Sequence, residues 1–389
     1  MFYFLGKIIF HGHFRFPIRS LPPAHKFSLL QSPSPFNPRC VSSSSSAAAQ
    51  SSFMASYLMD TLGFSPESAL KASKYLHYDN PDKPNAVIAF LKSHGFSESQ
   101  IRKIVKRAPL LLQSNPEKTL LPKLEFFYSK GVSKLDLAII FSGYGSVLTR
   151  SLEKQIIPSF NFFREFLESD EKVIKFIKRF AAMITVNLER VVAPNLDVLR
   201  EIGVPKSNLA SILLCEPRLI FSSTKQLKEN LEKVKKMGIS PSHFSFVLAA
   251  SILGKLSKSN WVKKVDTYRK WGLSEEEVLA AFSKHPWFMM VSDDKIEAVM
   301  DVFVNQLGMD ATDIAKGPYV FSMSLRKRIV PRAPVAQILI SNGFLRKDFS
   351  LITFFGCNEK KFLEKYVFSY KGDALQLFNL YKEKLDLPG

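Results

Sequence analysis

The residues of this 389-residue chain that could act together chemically are cations, and they recur in register. Lys118, Lys154, Arg190 and Lys327 each stand four residues before a proline: Pro122, Pro158, Pro194 and Pro331. With one residue of slippage Lys225 takes this place in a further segment, and Lys295 takes it in one that lacks the proline. One cation per repeat, at equivalent places in a stacked array, makes a basic stripe suited to a phosphate backbone. Arg326, Lys327, Arg328 and Arg332 form the densest cluster and are the expected phosphate contacts, with Arg150 as a secondary candidate. Arg102, Lys103, Lys106 and Arg107, and likewise Lys172, Lys175, Lys178 and Arg179, fall on first helices and serve equally well as a solvated outer face. Phosphate contacts position a nucleic acid without reading its bases, and the pattern singles out no base-reading residue.

Catalytic constellations are not apparent. Gly143-Tyr144-Gly145 is a fragment of a phosphate-loop pattern, without the third glycine or a Gly-Lys-Ser/Thr ending. His285 precedes Pro286 at a predicted helix end and has no His or Cys partner at metal-ligand spacing. Asp293-Asp294 follows Ser292 and reads as a helix N-terminus, where acids are favoured by the dipole. Cys40, Cys215 and Cys357 are far apart, which argues against a disulfide framework or a zinc site and fits a reducing compartment. The expectation is a protein that is not an enzyme, with no metal, no cofactor and no small-molecule substrate.

The cations must be positioned by a repeated element, and its punctuation is a phrase of glycine, an apolar residue and serine. It reads Gly63-Phe64-Ser65, Gly95-Phe96-Ser97, Gly131-Val132-Ser133, Gly238-Ile239-Ser240 and Gly272-Leu273-Ser274, with looser copies at Gly203, Gly308 and Gly343. The glycine spacings are 32, 36, 72, 35, 34, 36 and 35, and the midpoint of the long gap is Leu167, followed by Ser169. Glycine supplies the left-handed residue that ends one helix, and serine caps the next. Ser97-x-x-Gln100 and Ser274-x-x-Glu277 are capping boxes, and Pro66 and Pro241 occupy the favoured first helical position. The intervening apolar residue staples onto the fifth residue after it, as Phe96 onto Ile101 and Val132 onto Leu137.

Within the repeat, Pro109, Pro217 and Pro286 follow the glycine by 14 residues and end the first helix. Gly145 and Ala181 hold that place in two repeats, and Pro318 comes four residues early in another. The second proline, Pro122, Pro158, Pro194 or Pro331, starts or kinks the second helix. Each unit is therefore predicted as helix, break, short irregular turn, helix. The stretch from Gly238 to Gly272 has neither proline and is expected to pack differently. Apolar residues recur at helical spacing, as at Ile101, Ile104, Val105 and Ala108, so the abundant phenylalanine belongs to the core.

Composition agrees with such an array. The chain is 46% hydrophobic and 23% charged, and 54 Lys+Arg against 35 Asp+Glu give a net charge of +19. That balance selects a polyanionic partner. No apolar run reaches the roughly 20 residues of a membrane span, and Phe244 to Leu253 reads as one buried helix. Residues 1–59 lack Asp and Glu, carry Lys7, Arg15, Arg19, Lys26 and Arg39, and include the run Ser42 to Ala49. This is the composition of an organelle transit peptide, assigned to residues 1–53. The arginines favour mitochondria, with the chloroplast as the alternative.

Ala108-Pro109-Leu110-Leu111-Leu112, then Leu121-Pro122-Lys123-Leu124, then Gly131, resemble the repeat of the mitochondrial transcription termination factor (mTERF) family. Lys327-Arg328-Ile329-Val330-Pro331-Arg332 and Phe362-Leu363-Glu364-Lys365-Tyr366 resemble it too, so the likeness runs from about residue 54 to 370. The leader and the body resemble the land-plant branch. The resemblance implies an all-α, curved solenoid of about eight or nine helical repeats over residues 54–370, followed here by a helical tail at 371–389. It also implies nucleic-acid binding in an organelle, for transcription termination or pausing, transcript processing or intron splicing. The function expected is binding of double-stranded DNA along a basic concave face by a monomer. The alternatives are an organellar RNA-binding factor, and a protein-binding scaffold of a kind helical solenoids often form.

Overall fold

The computed structural model describes residues 44–386 apart from 77, 79, 346–348 and 371, with side chains described from residue 53. Most of the leader, including its basic residues, lies outside the described residues. A helix, Ser44–Leu62, runs across the expected boundary at 53, and Met54 on it is fully buried. All regular structure among the described residues is helical. The chain divides into two compact units, one of Ser43–Glu297 with Ala311–Ser322 and another containing Ala298–Asp310 and Met323–Gly389.

The glycine corners form as expected. Gly63, Gly95, Gly131, Gly203, Gly238, Gly272, Gly308 and Gly343 all have positive φ. The missing corner is at Glu168 (φ 65°), one residue beyond the midpoint expected at Leu167, and it is the single non-glycine left-handed residue among those described. Its N–H closes the preceding helix on Arg164 and Ser169 caps the next by accepting from the Lys172 N–H. The hydroxyls of Ser65, Ser97, Ser133 and Ser274 likewise accept from the third residue of their helices, and both capping boxes are complete. The corner at Gly238 departs from expectation. Pro241 lies in a turn rather than at a first helical position, and the helix Phe244–Lys255 starts later, after His243. It is one largely buried helix, as its composition predicted.

The break between the paired helices is ordered rather than irregular. Pro109–Gln113, Gly145–Val147, Ala181–Thr185, Pro217–Phe221, Pro286–Met290 and Pro318–Ser322 are all short 3-10 segments. The early Pro318 follows a first helix of only six residues, Ala311–Lys316, so the proline moves with the helix end. Gly145 stands where proline recurs because a Cβ there would lie 3.0–3.1 Å from Cγ2, Cα and the carbonyl oxygen of Ile104 in the preceding repeat. The repeat between Gly238 and Gly272 has no 3-10 segment; Leu256 and Ser257 join two plain helices, Phe244–Lys255 and Lys258–Arg269.

Each second proline is preceded by a wide π turn: Pro116–Leu120, Leu152–Ile156, Leu188–Val192 and Leu325–Ile329 run directly into the α-helices that hold Pro122, Pro158, Pro194 and Pro331. A proline ring inside an α-helix clashes with the carbonyl four residues back. The i→i+5 turn, closed by Leu121 N–H to the Pro116 carbonyl in the first case, makes the room. Phenylalanines fill the space between helices, as in the edge-on contact of Phe127 with Phe141 at 5.5 Å, where Phe127 is fully buried.

Candidate nucleic-acid interface

From the repeat that opens at Gly95 onward, the second helix begins at a polar cap position, and these positions form their own register: Asn115, Ser151, Asn187, Ser223, Ser257, Ser292, Ser324 and Asn358. Three residues after each cap stands one side chain per repeat. In the first unit these are Lys118, Lys154, Arg190, Gln226, Asn260 and Lys295. In the second unit they are Lys327 and Lys361. The backbone N–H groups of Lys118, Lys154, Arg190, Lys327 and Lys361 donate to their caps at 2.8–3.1 Å, which fixes the start of each side chain.

The same residues therefore sit in the first helical turn, against the positive end of the macrodipole, where a cation costs a few tenths of a kcal/mol or more. Glu117, Glu153 and Glu189 precede three of them and offset part of that cost. The turn Leu325–Ile329 has no acid and holds Arg326, Lys327 and Arg328 together. Such a concentration of like charge does nothing for the helix.

The register cations are also left unspent by the fold. Lys118, Lys154, Arg190, Lys225, Lys327 and Lys361 are exposed and, among the described residues, have no carboxylate in ion-pair reach. Arg150, just ahead of the Ser151 cap, is exposed as well, as is Arg326; Arg328 is half-buried. Lys295 is also half-buried, and desolvation holds its pKa below the usual lysine range.

Other basic residues are tied to neighbouring repeats. Arg102 donates to the Leu62 carbonyl, Arg107 to the Ser142 and Gly143 carbonyls, and Arg179 to Leu214 at 3.2 Å. Lys178 pairs with Asp136 at 2.8 Å, and its hydrogen bond, with that of Ser133, holds the Asp136 carboxyl below its ordinary pKa. Lys175 pairs with Glu171 on its own helix at 3.1 Å. Asp293 opens its helix as expected and takes both Lys263 (2.8 Å) and Lys264 (2.6 Å).

Two sequence assignments change. Lys225 is the second residue after its cap, and the register position belongs to Gln226, whose N–H donates to Ser223 Oγ. Arg332 is not a surface residue. It is 1% exposed, its guanidinium lies 4.3 Å from the centre of the Phe362 ring, and it donates to the carbonyls of Phe354 (3.3 Å), Phe355 (2.9 Å) and Cys357 (2.9 Å). It cannot meet a phosphate there.

The reason is a second register, at the residue that follows the second proline. Lys123 donates to the Leu148 carbonyl at 2.5 Å, and Asn195 to Ile220 (2.9 Å) and Ser222 (2.8 Å). In the repeat with Ser159 at this place, Gln155 makes the link to Ile184 and Val186 and bonds Ser159. Lys264 does the same to Val291 from a helix without proline. These side chains staple one repeat to carbonyls at the end of the next 3-10 segment, and Arg332 makes the same forward reach to the end of the α-helix Leu351–Gly356. The signal was present in Pro-Lys, Pro-Ser, Pro-Asn and Pro-Arg: a polar residue recurring inside an apolar stretch. Lys361 was missed because its segment has no proline to register against, although Asn358-x-x-Lys361 repeats the spelling of Asn115-x-x-Lys118.

Of the remaining chemical candidates, His285 is engaged within the fold. His285 Nε2 lies 2.7 Å from Ser322 Oγ, and burial lowers its pKa to about 4. Among the described residues no group of three His, Cys, Asp or Glu is placed to hold a metal, and no helix is long and apolar enough to cross a membrane.

The mTERF family model matches residues 88–220 and 212–363, the span that carries the corners from Gly95 to Gly343, the staples and the first-turn cations. This chain belongs to the mTERF family. It is 23% identical over 308 residues to an Arabidopsis thaliana protein named transcription termination factor MTERF15, mitochondrial, covering 78% of this chain and 60% of the relative. It is 23% identical over 132 residues to transcription termination factor MTERF8, chloroplastic, of the same plant, covering 34% of this chain and 26% of that one. The chain thus matches less than two thirds of the length of either relative. As an mTERF protein it has the all-α helical-repeat fold that its sequence predicted.

Proposed function

We propose that this mTERF protein binds nucleic acid inside an organelle and regulates gene expression there, gripping the phosphates of double-stranded DNA through the first-turn cations of its second helices. The observation that carries the reading is the recurrence of exposed cations, unpaired by carboxylates, at one position of successive repeats: Lys118, Lys154 and Arg190 in one unit, Lys327 and Lys361 in the other. Arg326 and Arg328 extend the second group, while Arg150, Lys225 and Lys295 extend the first. A first-turn cation beside free backbone N–H groups is well placed for an anionic oxygen. The names of the two plant relatives support transcription termination as the process and an organelle as its place. The arginine-bearing leader favours the mitochondrion, with the chloroplast as the alternative.

The test is binding of the full chain to duplex DNA and to folded RNA across a salt series. If six to ten cations engage phosphates, affinity falls roughly 10³- to 10⁵-fold between about 50 and 200 mM salt. Tighter binding to RNA would move the process to splicing or transcript processing. Flat, weak binding to both would mean the cations are only a solvated face and would favour a protein-binding scaffold. Reversing charge at Lys327 and Arg328 weakens binding; unchanged affinity overturns their assignment.

A further inference from the structure

Phosphate contacts leave open how a sequence is chosen, and the register of first-turn residues has two members that are not cations. Gln226 and Asn260 occupy consecutive places between Arg190 and Lys295. Resting on the nucleic-acid reading above, we propose that Gln226 and Asn260 are base-reading positions, with adenine as the base they select. A carboxamide cannot grip a phosphate by charge, but it donates and accepts side by side. That pair matches the N6 donor and N7 acceptor of adenine in a major groove.

One observation sets Gln226, and two more set both residues, apart from ordinary surface amides. Helix capping does not explain Gln226. In that role the third-residue side chain folds back onto the cap N–H, as Gln100 does onto Ser97 at 2.8 Å and Glu277 onto Ser274 at 2.8 Å. Gln226 instead donates through Nε2 to Oδ1 of Asn230 at 3.1 Å. Asn230 is 3% exposed, so a buried residue orients an exposed amide. Among the described residues this leaves Oε1 and the second N–H of Gln226 without a protein partner. Preorganisation of this kind is what a recognition contact requires.

The backbone changes at the same two repeats. The second helices Thr224–Lys236 and Lys258–Arg269 contain no π segment, whereas every cation-bearing one does: Lys118, Lys154, Arg190 and Lys327 lie within it, and Lys295 and Lys361 lie in an α turn that runs into it. Loss of the π turn therefore coincides with the change from cation to amide. Finally, the charge is displaced within the turn rather than lost. Lys225 and Lys258 stand one and two residues before the amides, both exposed, so a phosphate contact remains available beside each reader.

The experiment is selection of duplexes from a randomised DNA library by the full chain, followed by binding of the selected and a scrambled duplex across salt. The wild type is expected to return a consensus containing adenine steps. Gln226→Ala and Asn260→Ala each lower the selected-to-scrambled affinity ratio about tenfold with an unchanged salt slope. Gln226→Lys, which restores the register cation, steepens the slope by about one and erases the preference at its position. Gln226→Glu, nearly isosteric, removes the donor and serves where alanine perturbs folding; it too is expected to lose the preference. A library that returns no consensus, or variants that keep the wild-type ratio, overturn the proposal while leaving salt-dependent binding in place. Salt-independent wild-type binding would instead defeat the nucleic-acid reading itself.

Discussion

Lys327 and Arg332 are five residues apart in one basic cluster, and their surroundings give them opposite work. Lys327 is exposed in a first turn whose dipole opposes it, while Arg332 is enclosed and bonded to three carbonyls. Burial lowers the pKa of Arg332, yet the carbonyls and the Phe362 ring compensate its charge. Arg332→Ala is expected to destabilise the fold by about 3 kcal/mol, since it leaves several buried carbonyls without donors. Lys327→Ala should shift stability by less than about 0.5 kcal/mol. Urea denaturation of the two variants checks the contrast; equal effects would contradict the two-register description. His285 gives a third residue-scale expectation. Its folded pKa of about 4 lies below the unfolded value, so the folded state disfavours the charged form. Its stabilising contribution is present above about pH 6.5 and is lost as pH falls toward 4, by at most ~3 kcal/mol. Denaturation midpoints across that window should fall in the wild type and fall less in His285→Asn.

At the scale of the element, what could be read in the sequence was local chemistry. A left-handed residue followed by a serine cap acts over a few residues, so the corners from Gly63 to Gly343 were legible, and even Glu168 was located to within one residue. The 3-10 segments were not legible, because five residues are too few to show a period. The π turns were hidden because proline alone says that a helix must adjust but not how. The staples were half legible: a polar residue recurs after the proline, but the partner of Lys123 or Arg332 is a backbone carbonyl in the next repeat, and carbonyls have no letter in a sequence. For the same reason Arg332 was misplaced, while Lys361 was overlooked because its segment has no proline to register against. Gly145 shows the limit from the other side. Its type is dictated by the approach of Ile104, which only the packed structure reveals. Gly145→Ala is expected to cost about 1 kcal/mol as the Ile104 helix is pushed outward. A thermal midpoint equal to wild type would show that the helix yields freely.

Across the whole molecule, a net charge of +19 overstates what is available to a partner. Many of the cations are consumed in holding repeats together: Arg107 and Arg179 on helix ends, Lys178 and Lys264 on acids, Lys123 and Arg332 on carbonyls. Among the cations unpaired by carboxylates, Lys118, Lys154, Arg190, Lys327 and Lys361 recur at one position of the repeat. Composition predicted a polyanionic partner; pairing and burial select which residues would meet it.

The staples run one way along the chain. Each donor reaches forward to carbonyls that are made later, from Lys123 to Leu148, from Asn195 to Ile220 and from Arg332 to Phe354. During synthesis a repeat leaving the ribosome therefore holds a buried donor with nothing yet to satisfy it, and it can settle only when its successor emerges. Shortening the chain should be correspondingly lopsided. Trimming from the front leaves carbonyls that water can reach, whereas trimming from the back strands an ammonium, amide or guanidinium group inside the last repeat kept. Nested deletions from each end, followed by limited proteolysis, should show damage spreading farther inward from the carboxyl side.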